Sequence, residues 1–278
     1  MKHTGEPPSG PPWDLPCDQA PLAFVDLEMT GLDPARDHVV EVCIERWRGD
    51  VREASIETLI KPPARAGGNA HVHGIDEASL AAAPEFATIA DDVARILSGA
   101  IFVAHAADYD IAFLCAEMKR AGRDLSIEHF IDTLVLSRRA FALTSHSLTS
   151  VAAHLGVPRG RAHRAGDDVR ALRGVFLGCV AALSPVSARD LWEVRIAERR
   201  ARAAILSACE AACEHEAPVE LVYRPTRKGA QTMTMVVTEV RAGLDPPRVL
   251  GYLLPGRGRR ELRADRILRV APASSVRE

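Results

Sequence analysis

Apolar residues along this chain recur at two different spacings, and the switches between them mark its elements. Leu22-Ala23-Phe24-Val25 is a continuous short apolar run, which predicts a strand covered on both faces and ending in Asp26-Leu27-Glu28. Gly31-Leu32-Asp33-Pro34 then reads as a turn. Val39 to Trp47 and Ala54 to Ile60 predict two more strands, joined by a polar link at Gly49-Asp50 as in an antiparallel hairpin. Pro62-Pro63 through Asn69 is a loop leading into His71-Val72-His73-Gly74-Ile75. From Pro84 to Leu97 the spacing becomes helical, with Phe86, Ile89, Val93, Ile96 and Leu97 on one stripe. Ile101 to Ala104 is a short buried strand, and Ile111 to Met118 starts another helix. Phe130-Ile131-Asp132-Thr133-Leu134 reads as a strand end passing into a helix that runs to Leu143. Leu148 to Leu155 is a short helix stopped by Gly156 and Pro158, and Asp167 to Leu183 is a long one. Three early strands followed by alternating helices and strands predict an α/β fold with a mixed sheet flanked by helices.

Pro185 marks a change of character. An Arg- and Ala-rich helical stretch from Ala188 to Cys213 leads into β-like runs at 219–223, 232–240, 249–254 and 261–270, separated by Gly and Pro. These predict a helical linker over 185–216 and a small β-rich domain over 217–278. Residues 1–19, with Pro7-Pro8-Ser9-Gly10-Pro11-Pro12, carry little core material and predict a disordered leader.

Composition adds less. Of 278 residues, 47% are hydrophobic and 26% charged, an ordinary globular balance with enough core for two modest domains. The net charge of −2 conceals an asymmetry. Residues 1–184 hold 18 basic against 25 acidic side chains, and residues 185–278 hold 17 against 12. The basic half is a candidate for an anionic partner, with a solvated surface as the plain alternative. Six cysteines fall at 17, 43, 115, 179, 209 and 213, and Cys209-x-x-x-Cys213 has no second pair to complete a zinc site. No signal peptide or long apolar run appears, so a cytoplasmic protein without a membrane partner is expected.

The candidate chemistry lies on acids. Asp26 and Glu28 alternate along a strand and share one face. Two carboxylates there either hold a divalent metal such as Mg²⁺ or Mn²⁺, or are acids solvated at a strand end. Asp110 follows a buried strand at a helix start, and Asp168 stands at a helix start five residues after His163, which lies on a loop. Each of these acids also suits a helix N-terminus by itself.

Taken in order, Asp26-x-Glu28, His105-x-x-x-Tyr109-Asp110 and His163-x-x-x-x-Asp168 resemble the DEDDh 3′→5′ exonuclease family, which includes the proofreading subunit of bacterial replicative polymerase. The resemblance covers residues 20–184 and implies a ribonuclease-H-like fold. It implies that Asp26, Glu28, Asp110 and Asp168 bind two Mg²⁺ or Mn²⁺ ions, with Asp26 shared by both. It also implies that His163 is the general base, and that Met29 and Thr30 pack against the terminal nucleotide. Asp132 and the His73-Gly74-Ile75 turn look like weaker family features, and Asp108 and Asp167 are expected to be solvated or to support the ligands. His105-Ala106-Ala107 departs from the family's His-Asn-Ala, which puts the sugar preference in question.

The basic C-terminal piece resembles the WYL domain in its lead-in helix, in Val219-Glu220-Leu221-Val222-Tyr223-Arg224, in Gly251-Tyr252-Leu253 and in Arg260 to Ile267. Gly251 stands where that family has its signature Trp. The resemblance implies binding of nucleic acid or a nucleotide-like ligand, with Arg260, Arg263 and Arg266 offering phosphate contacts. The whole reading is a metal-dependent exonuclease releasing nucleoside 5′-monophosphates from single-stranded 3′ ends, DNA foremost. DNA polymerase or repair proteins are the expected partners, and the oligomeric state stays open. The alternatives are a ligand-sensing nucleic-acid binder with a slow or gated nuclease site, and an RNA-directed exoribonuclease.

Overall fold

β1 (Pro21–Met29) is the central strand of a five-stranded sheet with the order β3-β2-β1-β4-β5. β2 (Val39–Arg48) and β3 (Val51–Leu59) run antiparallel to their neighbours. β4 (Ile101–Ala104) and β5 (Phe130–Asp132) run parallel to β1 and to each other, which makes the sheet mixed, as expected. This computed structural model describes residues 5–63, 74–158, 160, 164–225, 230–244 and 246–273. The chain divides into two units, Met1–Arg195 and Ile196–Glu278.

Alternation along β1 decides what each face does. Ala23, Val25 and Leu27 join one core with Phe86, Val93 and Ile96, together with Phe113 and Leu114. These come from a 3-10 turn at Phe86–Thr88, from α2 (Ala90–Leu97) and from α3 (Asp108–Arg120). The even positions turn the other way. Phe24 meets Phe176 of α6 (Ala165–Leu183) edge-on, with ring centroids 5.4 Å apart. Asp26 and Glu28 continue the Phe24 side of the strand and so lie on the face that α6 covers.

Several boundaries differ from the expectation. The stretch from Pro84 to Leu97 is a 3-10 turn followed by a helix, not one helix. α3 starts at Asp108, which places Asp110 inside its first turn. A short helix, α1 (Glu77–Ala82), was not expected from its pattern, and Asp76 caps it by accepting from the Ser79 backbone at 2.8 Å. α4 (Thr133–Ala140) follows β5 directly, and α5 (Leu148–His154) begins behind a Ser147 cap. Among the described residues, no single helix is long and apolar enough to cross a membrane.

The N-terminal segment departs most from its expectation. Described from residue 5, it is packed rather than disordered. Trp13 is buried and stands edge-on to Trp192 and His129, both at 6.2 Å between centroids. The first turn of α7 (Ala188–Glu214) holds the segment in place. Arg189 donates to Asp14 at 2.6 Å and to the Pro7 and Pro8 carbonyls at 2.9 and 2.8 Å. One buried indole and one multiply bonded guanidinium suffice where composition alone suggests a free chain.

The second unit is an antiparallel sheet with the order β10-β6-β7-β8-β9. Its strands are β6 (Pro218–Tyr223), β7 (Gln231–Arg241), β8 (Arg248–Leu254), β9 (Arg259–Arg263) and β10 (Ile267–Pro272). The run read as one strand from 261 to 270 is broken by a 3-10 turn at Ala264–Arg266 and supplies both outer strands of the sheet. Cys209 and Ala212 of α7 pack with Leu221, Met235 and Val237 in the core of this unit. Burial pushes the Cys209 thiol up to about 11, in keeping with a packing role. At Gly251 a Cβ would run into the Val236 carbonyl oxygen, so this backbone has no room for a tryptophan there.

Candidate active site

Three elements converge beside the end of β1. Asp26 and Glu28 come from the strand itself, and Asp168 comes from the first turn of α6. Ligand oxygens of these three residues all lie within 4.8 Å of one another. Asp110, from the first turn of α3, is buried beside them. The short link after β4 brings the start of α3 to the strand end, and the start of α6 lies there too, the usual place for a site in an open α/β sheet.

The electrostatics of this group are unfavourable by themselves. Burial pushes the Asp26 carboxyl well above its ordinary value, and Asp110, Asp168, Glu28 and Glu41 push it further in the same direction. Burial also raises Asp110. Asp132 and Glu28 add to that rise, while backbone hydrogen bonds at Asp110 and Leu27 oppose it. Two like charges about 4 Å apart repel by about 4 kcal/mol at an effective dielectric near 20. A divalent cation removes that repulsion, and a donor set made only of carboxylate oxygens suits a hard ion such as Mg²⁺ or Mn²⁺. The residues present therefore fit a divalent metal.

Of the other residues picked out in the sequence, His163 and His73 lie outside the described residues. Met29 packs half-buried against the core, and Thr30 is knitted into the loop that follows β1. The Thr30 hydroxyl accepts from the His38 backbone at 3.0 Å. Asp108 is exposed, and Asp167 pairs with Arg170. Asp132 does more than cap α4. It accepts from Leu134 at 2.9 Å and from the Ala106 backbone at 3.0 Å, and Ala106 sits at φ +65°. His105 donates from Nε2 to the His146 carbonyl at 2.9 Å and meets the Thr133 hydroxyl through Nδ1 at 2.9 Å. The turn that delivers Asp110 is thus tied down on both sides.

In the second unit, Arg263 makes a two-bond pair with Asp265 at 3.0 and 2.8 Å. Arg266 is half-buried in the 3-10 turn, and Arg260 is exposed on β9. Arg257, on the same hairpin, lies over the Tyr252 ring at 5.4 Å.

The sequence reading overlooked Glu41 and Arg164. Glu41 is buried on β2, and Arg164 Nε lies 3.1 Å from each of its oxygens, with Nη2 2.8 Å from Oε1. A signal existed, since Glu41 interrupts the apolar run Val39-Val40-Glu41-Val42, and a charge inside a covered strand needs a partner.

Comparison with known proteins agrees with this geometry. The PolC-type DNA polymerase III of Thermotoga maritima is 32% identical over 177 residues, which are 63% of this chain and 13% of that protein. The DNA polymerase III subunit epsilon of Treponema pallidum is 29% identical over 160 residues, 56% of this chain and 74% of the subunit. The first of these relatives is thus far longer than the stretch it shares. Among solved structures, the zinc-bound complex of E. coli exonuclease I with single-stranded DNA superposes with a TM-score of 0.53 at 16% identity. That match covers 84% of this chain and 54% of the E. coli chain, and it speaks for the fold alone. The family model RNase_T, described as Exonuclease, matches residues 23–176, more than half of the chain and the stretch that holds Asp26, Glu28, Asp110 and Asp168. The chain belongs to the RNase_T exonuclease family.

Proposed function

We propose that this protein is a metal-dependent 3′→5′ exonuclease that hydrolyses single-stranded DNA from its 3′ end to nucleoside 5′-monophosphates. The observation that carries the reading is the cluster of Asp26, Glu28 and Asp168 with its ligand oxygens within 4.8 Å. In this reading Asp26, Glu28, Asp110 and Asp168 hold two Mg²⁺ or Mn²⁺ ions. Bound there, the ions supply the Lewis acidity that phosphodiester hydrolysis needs. Burial and neighbouring carboxylates raise Asp26 and Asp110, so positive charge bound there would favour their ionised forms and tie catalytic competence to metal loading. His163 takes the proton of the attacking water at its imidazole, a task suited to a group titrating near neutral pH. The water oxygen bonds to phosphorus, the phosphorus–O3′ bond breaks, and the departing 3′ oxygen gains a proton. Met29 and Thr30, just beyond Glu28, flank the terminal nucleotide. E. coli exonuclease I, which shares the fold, was solved with single-stranded DNA, and the proposal takes the same substrate class for this chain.

The second unit, WYL-like in its sequence, is assigned to holding the nucleic acid. Exposed Arg257, Arg259 and Arg260 on the β8–β9 hairpin support that assignment, and Tyr252 offers a ring there for stacking. The polymerase III relatives point to a replication or repair setting.

The test is a 5′-labelled oligonucleotide, single-stranded or duplex, DNA or RNA, incubated with the full chain and Mg²⁺ or Mn²⁺. A ladder shortening from the 3′ end, lost in Asp26→Ala and on chelation, is the expected result. A folded wild-type protein that gives no mononucleotides with either ion overturns the proposal.

A further inference from the structure

We propose that Glu41 and Arg164 form a positioning clamp for the acidic site, setting the start of α6, and with it Asp168, against β1. The inference rests on the metal-dependent reading above.

Register places Glu41 directly across from Glu28, because β1 and β2 pair Glu28 with Glu41. Directly opposed side chains on one face of an antiparallel pair stand about 5 Å apart at Cβ. Two acids facing each other that closely repel unless one is otherwise engaged, and Glu41 is engaged. Both of its oxygens receive Arg164 Nε at 3.1 Å, and Oε1 also receives Nη2 at 2.8 Å. Its Oε2 further accepts the backbone N–H of Ala165 at 3.1 Å.

That last bond is the informative one. Ala165 is the first residue of α6, and Arg164, at the capping position, makes no side-chain cap. The first N–H groups of a helix lack partners within it and favour a negative charge. Glu41 supplies both from a neighbouring strand. The turn held this way is the one bearing Asp168, whose own N–H closes onto the Arg164 carbonyl at 2.9 Å. With four donor contacts converging on its two oxygens, the Glu41 carboxylate acts on the site from behind its ligands. Its role is distinct from that of Asp26, Glu28 and Asp168.

Two roles for Arg164 predict opposite signs. If it merely neutralises charge, removing it leaves the acidic site more negative and tightens Mn²⁺ binding. If it positions, removing it lets the start of α6 drift and loosens binding. Groups that orient metal ligands typically change affinity by about 10- to 100-fold when removed. The experiment is a Mn²⁺ titration by calorimetry on full-length wild type, Arg164→Ala and Glu41→Ala, followed by kcat and KM on an oligonucleotide. Arg164→Ala should bind Mn²⁺ about tenfold more weakly or worse and lose kcat with little change in KM. Methylguanidine should restore both in Arg164→Ala but not in Glu41→Ala, which lacks the acceptor. If Arg164→Ala does not fold by circular dichroism, Arg164→Lys takes its place and should show the same loss in smaller degree. Unchanged or tighter Mn²⁺ binding in the folded Arg variant overturns the clamp. A wild type that binds Mn²⁺ but cleaves nothing refutes the exonuclease reading and leaves the clamp to be judged on affinity alone.

Discussion

The two units of this chain treat charge in opposite ways. In the first, carboxylates are gathered, buried and left to repel one another around Asp26. In the second, four described arginines at the surface are each met by an acid. Arg241 meets Glu239 at 2.7 Å, Arg248 meets Glu261 at 3.2 Å, Arg263 meets Asp265 at 2.8 Å and Arg269 meets Glu220 at 2.8 Å. Exposed pairs of this kind contribute little to stability and attract little from outside. Burying like charges is costly, and a fold retains such a cluster where a ligand makes use of it. These four arginines are therefore less available to a phosphate than a bare count of C-terminal basic residues suggests. Among the described residues, the β8–β9 hairpin presents exposed Arg257, Arg259 and Arg260.

The contrast can be broken most forcefully at Asp26. Asp26→Ala removes an oxygen donor from the site, and a loss of about a thousandfold in exonuclease rate is expected from several kcal/mol of lost metal-borne stabilisation. The measurement is initial release of mononucleotide at saturating Mg²⁺. A smaller effect, on stability, has a definite sign. Both Asp26 and Asp110 are raised above 3.8 in the folded chain. A raised acid lends stability that is full below its unfolded value and lost as pH climbs through the folded one. Metal-free protein should therefore melt at a lower temperature as pH rises from 4 towards 8, and Mg²⁺ or Mn²⁺ should recover the loss. Asp26→Asn should stabilise the metal-free chain at pH 8 by about 1–4 kcal/mol while abolishing the metal response. Thermal melts at several pH values, with and without metal, check both statements.

The other side of the contrast gives milder effects. Arg260→Ala should reduce the salt dependence of oligonucleotide binding by roughly one ion, whereas Arg263→Ala, whose charge Asp265 already holds, should leave that slope unchanged. Equal slopes in the two variants would mean that pairing does not govern which arginines reach phosphate. The smallest effect expected is at Ala106, held at φ +65° by the Asp132 carboxylate. Ala106→Gly should stabilise the chain by under about 1 kcal/mol, since the left-handed region costs a Cβ-bearing residue roughly that much. Chemical denaturation would read it.

Much of the exonuclease unit was legible because its pattern is redundant. The apolar run at 22–25 reads as a covered strand, and Asp26 and Glu28 then share a face by alternation. Asp110 and Asp168 were nominated by the likeness of their motifs to the DEDDh family, since a helix start alone explains either acid, and the structure puts them inside the first turns of α3 and α6. What escaped were the partners reached through space. Nothing local to Glu41 names Arg164, 123 residues away, and nothing local to Trp13 names Trp192. Such contacts depend on how elements stack, which periodicity does not encode. The break of the 261–270 run into two edge strands escaped because no Gly or Pro punctuates it, although Ala264 and Asp265 are poor strand formers.

The packed N-terminal segment bears on how fragments of this protein should be cut. A boundary drawn from composition falls near residue 20 and discards Trp13 together with the Leu15 carbonyl that receives the Ala188 N–H at 3.0 Å. Such a fragment would present the edges of Trp192 and His129 to water at the point where α7 begins. Poor solubility of a trimmed exonuclease unit would then be a defect of the cut rather than of the unit, and a fragment that keeps residues 5–19 carries its own cover.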